Sequence, residues 1–165
     1  AVKLDVSMSS LVEKIDSVSL CLSKGLGSPV GSVLVGPKDF INRAYRIRKL
    51  LGGGLRQSGI LAAAGIYALE NNIERLEVDH KNALYLAKKL KKIPEIYLKI
   101  KDVQTNMIFI NIPAGSSSKF KSYCLKNKIL INADSDNIRL VTHLDIDRDK
   151  ISYFIEKLNS FFNIT

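Results

Sequence analysis

The sequence predicts an α/β chain made of two units, and three observations support this class. The runs SVSLCL and GSVLVG are typical of apolar strands, and only Ser23 to Val30 separates them. Helical periodicity dominates from Pro37 onward. After Pro94 the pattern changes to a β-α-β-β-α run, which is typical of a small α+β layer. We therefore predict a first domain over residues 1–80 and a small α+β domain over residues 81–165.

Local patterns predict each element of the first domain. The stretch SSLVEKI predicts a short helix capped by Ser10, with Glu13 three positions on. The linker between the two strands is shorter than the dozen or so residues of a parallel crossover, so we expect an antiparallel pair, buried on both faces. The stretches KDFINRAYRIRKLL and LRQSGILAAAGIYALENNIERL predict two helices, the second largely apolar and buried. Gly52, Gly53 and Gly54 separate them and predict an unusual dihedral, a close backbone approach or a flexible hinge.

A long helix through VDHKNALYLAKKLKKI leads into the second domain. Beyond Pro94, strands are predicted for NMIFINI, KILIN and NIRLVTH. The stretches SSKFKSYCLKN and DRDKISYFIEKLNSFF have the periodicity of amphipathic helices. We expect these helices to cover one face of a sheet.

Composition and charge limit the classes of function. A chain of 165 residues with 46% hydrophobic content can bury a core. Its net charge of +9 makes nucleic-acid binding a function to consider. The lysines of KNALYLAKKLKKIPEIYLKIKD, however, are mixed with acidic residues, as on a solvated helix face. The longest apolar runs fall short of the roughly 20 residues that cross a bilayer. Cys21 and Cys124 match no metal or redox spacing, which predicts free thiols and a cytoplasmic protein. We expect neither a nucleic-acid nor a membrane partner.

Several binding motifs are excluded by spacing. Gly25, Gly27 and Gly31 are one residue too far apart for the dinucleotide fingerprint, and no phosphate loop of the GK[ST] type is present. His80 and His143 do not lie at metal spacing, so no metal site is predicted.

Lys24 remains as a candidate nucleophile. It lies where an apolar strand turns, and its small neighbours Ser23, Gly25 and Gly27 would let a flat aromatic cofactor approach the backbone. A lysine amine attacks a carbonyl only when it is neutral, which partial desolvation near other cations promotes. The pattern predicts either a Schiff-base lysine or a surface lysine in a hairpin loop, and spacing alone favours the surface lysine.

Three long motifs, in this order, resemble a known family. They are DSVSLCLSKGLGSPVGSVLVG, RAYRIRKLLGGGLRQSGILAAAGIYALENNIERLEVDHKNALYLA and IRLVTHLD. From about Asp16 to Asp145 the chain resembles the low-specificity L-threonine aldolases, which are pyridoxal-phosphate (PLP) enzymes of the aspartate-aminotransferase fold, fold type I. The resemblance implies the C-terminal part of such a subunit, with a partial large domain followed by a small domain. The family's ring-stacking histidine, its acid for the pyridine nitrogen and much of its phosphate loop would then lie upstream.

The resemblance also implies roles for particular residues. Lys24 matches the lysine that forms the Schiff base with the cofactor, and Arg139 matches the arginine that binds the α-carboxylate of the amino-acid substrate. Lys49 and Arg56 lie where the family brings basic groups toward the cofactor pocket of a neighbouring subunit. The implied reaction is retro-aldol cleavage of threonine and allo-threonine to glycine and acetaldehyde by a homotetramer.

Two alternatives stay open. Another fold type I reaction, β-elimination or transamination, would use the same lysine and the same carboxylate clamp. A nucleic-acid-binding module would use the basic surface instead. Without the resemblance, Arg139 would be a strand-end arginine in a surface ion pair.

Overall fold

A computed structural model describes residues 1–163 of the chain. These form two compact units, Ala1–Leu76 and Glu77–Thr165. Within the described residues, no helix combines the length and the apolar character that a membrane span requires. The helices are α1 (Met8–Val12), α2 (Lys38–Leu50), α3 (Gly59–Asn71), α4 (Leu76–Leu90), α5 (Ser117–Lys126) and α6 (Arg148–Phe161). The strands are β1 (Val18–Cys21), β2 (Ser32–Val35), β3 (Met107–Asn111) and β4 (Asn137–Val141).

The first unit contains the predicted hairpin. Strands β1 and β2 pair antiparallel, with Val18 opposite Val35 and Cys21 opposite Ser32, which confirms the predicted direction. The predicted burial on both faces is wrong, because β2 is exposed throughout and β1 is at most half-buried. Two strands without a third neighbour in this unit leave both faces largely open.

The short first helix begins earlier than predicted. Ser7, not Ser10, is its cap, because the Ser7 hydroxyl oxygen accepts a hydrogen bond from the backbone N–H of Ser10 at 3.2 Å. The capping box predicted at Ser10 and Glu13 is therefore wrong, and α1 ends at Val12.

The glycine joint between α2 and α3 is confirmed as a place of unusual backbone. Gly52 has a φ of +85°, and a Cβ at Gly53 would lie 2.8 Å from the side chain of Arg48. The predicted burial of α3 is wrong: only Gly65 and Ala68 are buried, while Ile60 is 79% exposed. An apolar helix exposed in this way has no covering surface within its own unit.

The second unit is a two-stranded sheet with helices on one face. Strands β3 and β4 pair antiparallel, with Met107 opposite Val141, and every second residue along each strand is buried. This alternation confirms that one face meets the core and the other faces outward. The buried side chains come from both strands, from α4, α5 and α6, and from the loops; the largest include Phe120, Leu90, Ile108, Ile110, Ile138, Ile151 and Leu158.

The strand predicted for KILIN is not formed. Lys128 adopts a left-handed conformation, φ +59°, and the N–H of Ile129 bonds back to the carbonyl of Cys124 in α5. Ile129 and Ile131 pack on the core individually, whereas Leu130 between them is 88% exposed. The chain therefore turns at residues 127–128 and continues through residues 129–132 without regular structure, and the predicted β-α-β-β-α run is observed as β-α-β-α.

Candidate functional site

Lys24 lies on an exposed bend between β1 and β2, and the backbone around it is closed by hydrogen bonds. The N–H of Leu22 donates to the carbonyl of Gly31, and the N–H of Ser28 donates to the carbonyl of Leu22, both at 3.0 Å. Inside this loop, the N–H of Gly27 donates to the carbonyl of Lys24 at 2.8 Å. The lysine is thus carried by a fixed backbone and extends its side chain into open space.

The loop is also packed against the rest of the first unit. Leu22 and Leu26, on either side of Lys24, are buried together with Ala68 of α3. A Cβ at Gly25 would lie 2.9 Å from the Cδ2 atom of Leu76, so any larger residue after the lysine would require the Leu76 side chain to shift. This close approach explains the glycine in the SKG sequence in terms of packing.

Two polar side chains beyond α3 hold the loop, and the sequence analysis missed both. Asn72 Nδ2 donates to the carbonyl oxygen of Leu26 at 2.7 Å, and Arg75 Nη1 donates to that of Gly25 at 3.3 Å. They were missed because 46 and 50 residues separate each donor from its acceptor, and no local pattern reports such a contact. The only available signal was the polar stretch ENNIER directly after an apolar helix.

Cys21 gives the base of the loop a reactive thiol. Its Sγ lies 3.5 Å from the Ser23 hydroxyl. Hydrogen bonds from Ser23, with smaller contributions from Ser32 and the Lys24 charge, hold the pKa of the Cys21 thiol below its ordinary value.

Lys49 and Arg56 flank the glycine joint. Lys49 is in the last turn of α2, Arg56 is in the following loop, and both side chains are exposed. The three cations proposed for the cofactor site therefore lie on different segments of the first unit: Lys24 on the bend between β1 and β2, Lys49 at the end of α2 and Arg56 between α2 and α3.

Arg139 lies in the second unit, on the outward face of β4 opposite Phe109 of β3. It lines a cavity of about 520 Å³, together with apolar side chains that include Ile131 and Phe154. Its guanidinium forms no ion pair with any residue in the described part of the chain. The end of β4 is anchored by Thr142, whose buried hydroxyl donates to the carbonyl of Asp79 at 2.7 Å.

His143 lies beside Asp145, two residues further along the chain. His143 Nδ1 accepts a hydrogen bond from the backbone N–H of Asp145 at 3.3 Å, and the Asp145 carboxylate lies 3.5 Å from the same atom. In the part of the chain that the structure describes, no group of three or more His, Cys, Asp or Glu side chains could hold a metal ion.

Comparison with solved structures defines the class. The chain superimposes on a Listeria monocytogenes protein assigned as an L-allo-threonine aldolase, with a TM-score of 0.78, 17% identity, and coverage of 96% of this chain and 48% of that one. It also superimposes on a PLP-dependent aminotransferase from Streptococcus suis, with a TM-score of 0.70, 15% identity, and coverage of 96% and 45%. The predicted fold class, part of the fold type I architecture, is confirmed.

Sequence comparison identifies the family. The sequence model of the beta-eliminating lyases matches residues 1–113, and the chain belongs to this family. The chain is 48% identical over 145 residues to the low-specificity L-threonine aldolase of Escherichia coli K12. The matched region covers 88% of this chain and 42% of that protein. It is 43% identical over 157 residues to low-specificity L-threonine aldolase 1 of Arabidopsis thaliana, covering 93% and 44%. The predicted resemblance is confirmed, and the chain spans less than half the length of either relative.

Proposed function

We propose that this chain is the C-terminal part of a PLP-dependent threonine aldolase, which cleaves the Cα–Cβ bond of threonine and allo-threonine to give glycine and acetaldehyde. The observation that carries the proposal is the exposed Lys24 on its closed loop, in a chain 48% identical over 145 residues to an aldolase of that name. Because the chain spans 42% of that relative, the activity belongs to a longer polypeptide.

The surroundings of Lys24 fit an aldehyde cofactor. The amine is exposed on a loop whose backbone is already hydrogen-bonded, so an aldehyde can reach it without any rearrangement of that loop. Lys24 would hold PLP covalently through its Nζ atom. Lys49 and Arg56 would supply positive charge for the phosphate, in the pocket of a neighbouring subunit. When bound, PLP supplies a ring that stores the electrons released as the substrate bond breaks.

Arg139 is proposed to bind the α-carboxylate of the substrate. A planar guanidinium can donate two parallel hydrogen bonds to a carboxylate, which fixes orientation as well as charge. The rigid base for this role is β4, whose inward residues Ile138 and Leu140 are buried on either side of the arginine. The proton of the substrate β-hydroxyl would be taken by a group outside this chain.

The assembly and the location are also proposals. We infer a cytoplasmic homotetramer with a small amino acid as substrate and no nucleic-acid or membrane partner. Support comes from the apolar side chains that the first unit exposes, which further protein surface would cover; they include Val33, Leu34, Val35, Leu50, Leu51, Ile60 and Ile66.

The test uses the full-length protein that contains this chain. Incubated with threonine and PLP, it should release acetaldehyde and glycine in equal amounts. Because the family model that matches is that of beta-eliminating lyases, β-elimination is the second candidate and would release 2-oxobutyrate from threonine instead. A salt-sensitive shift of a nucleic-acid probe, without cofactor absorbance, would favour the basic binding module.

A further inference from the structure

The loop that carries the reactive lysine depends on side chains from a distant part of the chain. Asn72 and Arg75, just beyond the end of α3, donate hydrogen bonds of 2.7 and 3.3 Å to the carbonyl oxygens of Leu26 and Gly25. Both donors are half-buried, so these bonds are partly shielded from water. A partly shielded bond to a side chain restrains a loop more than a fully solvated one does.

Together these bonds fix the backbone on both sides of Lys24. The carbonyl of Lys24 accepts the N–H of Gly27 at 2.8 Å, so three consecutive peptide carbonyls beginning at the lysine are hydrogen-bonded. On the other side, Leu22 is bonded through both its N–H and its carbonyl. Because each residue has only two soft dihedrals, the bonds at Leu22 and at the carbonyls of Lys24, Gly25 and Leu26 restrict the direction of the Lys24 Cα–Cβ bond.

We propose that Asn72 and Arg75 are positioning residues, which hold the Lys24 loop so that the amine meets the carbonyl carbon of the cofactor in reacting geometry. The proposal rests on the proposed function, in which Lys24 carries PLP. Neither side chain takes part in bond making: each donates a hydrogen bond to a carbonyl of the loop. The expected effect is kinetic, because reacting groups misplaced by about 1 Å can react about 100-fold more slowly.

The chain provides a matched control for Asn72 at the preceding position. Asn71 Nδ2 donates to the carbonyl of Tyr67 at 2.9 Å, a bond that stays inside α3 and does not involve the loop. Asn71→Asp and Asn72→Asp both replace an amide donor by a carboxylate at the end of the same helix. Only Asn72→Asp removes a donor from the Lys24 loop, so the two variants match in the charge they introduce and in their place at the helix end, and differ in the contact with the loop.

The experiment compares the full-length wild type with Asn72→Asp, Arg75→Met and Asn71→Asp. Apoenzyme is mixed with PLP and quenched with borohydride, and the rate of covalent labelling of Lys24 is read from its peptide. Hydrogen exchange of the Gly27 and Ser28 amides, both bonded within the loop, reports its order independently of activity. We expect Asn72→Asp to slow labelling of Lys24 about tenfold and to speed amide exchange by a similar factor. Arg75→Met should have a smaller effect on both rates. Asn71→Asp should match wild type in both.

The outcomes separate the two proposals. If wild type is labelled at Lys24 but Asn72→Asp labels as fast as Asn71→Asp, the positioning role is overturned and the proposed function stands. Faster exchange with unchanged labelling also overturns it, since the bonds would then serve only the fold. If wild type is not labelled at Lys24, the proposed function fails and the positioning role fails with it.

Discussion

The two units of the chain differ in how they are held together. The first unit buries three apolar side chains in one cluster, Leu22, Leu26 and Ala68. Among its described residues, the second buries seventeen, drawn from both strands, three helices and the connecting loops. Buried apolar surface stabilises a fold by roughly 25 cal/mol per Å². The second unit, with the larger buried set, therefore has the core that can stabilise a domain.

The two proposed site residues, Lys24 and Arg139, lie in units that differ in how well they are packed. The loop of Lys24 is ordered by hydrogen bonds and by a close packing contact, in a unit that exposes much of its apolar surface. Arg139 instead extends from a sheet whose other face is fully packed. We infer that the first unit needs protein surface from outside this chain, whereas the second can fold by itself.

Separate expression is expected to give the largest contrast. Residues 77–165 should be soluble and unfold cooperatively on heating, because their core is complete. Residues 1–76 should aggregate or lack a cooperative transition, because β2 and α3 leave apolar faces open. The 165-residue chain should accordingly be inactive on threonine. A soluble, yellow 165-residue chain with full turnover would contradict this account.

Removing an apolar side chain should cost more stability in the second unit than in the first. Phe120 is fully buried and its ring contacts that of Phe161 at a centroid distance of 5.3 Å. Phe120→Ala in residues 77–165 should lower the free energy of unfolding by about 3–5 kcal/mol, measured in urea. Ile60→Ala should change the unfolding free energy of the 165-residue chain by less than about 0.5 kcal/mol, because Ile60 is exposed and the cooperative transition of that chain belongs to the second unit. Equal effects would remove the distinction between the units.

Substitution of Arg139 should affect the substrate and leave the cofactor unchanged. Arg139→Lys in the full-length protein would replace the proposed bidentate contact by a point contact and weaken carboxylate binding by about 1–3 kcal/mol. The Michaelis constant for threonine should rise accordingly while cofactor absorbance stays unchanged. An unchanged Michaelis constant would assign Arg139 to the surface alone.

The reactivity of the two cysteines should show the difference in packing between the units without any substitution. Burial raises the pKa of the Cys124 thiol to about 11, whereas hydrogen bonding to Ser23 lowers the pKa of Cys21. Since the thiolate is the reactive form, Cys21 should be alkylated by iodoacetamide at mildly alkaline pH, and Cys124 should react only as the pH approaches 11. Peptide mapping after timed alkylation measures both rates. Similar rates would mean that the core around Cys124 opens readily.

Local patterns predicted most elements, and the failures have physical causes. The β3–β4 alternation and the glycine joint at Gly52 were readable because each depends on neighbouring residues. The KILIN strand was not, because pairing depends on a partner strand distant in sequence, whereas the left-handed Lys128 and the bond from Ile129 to Cys124 tie the start of this segment to α5. The contact of Asn72 with the Lys24 loop bridges 46 residues, beyond any local pattern.

The central claim is that Lys24 carries the cofactor, and covalent trapping tests it most directly. The full-length protein is incubated with PLP, reduced with borohydride, digested and mapped by mass. The account predicts label on the peptide that contains Lys24, and loss of both the label and the yellow absorbance in Lys24→Ala, because only a neutral primary amine can form the link. Cofactor trapped at a single other lysine, or unchanged trapping in Lys24→Ala, would contradict it.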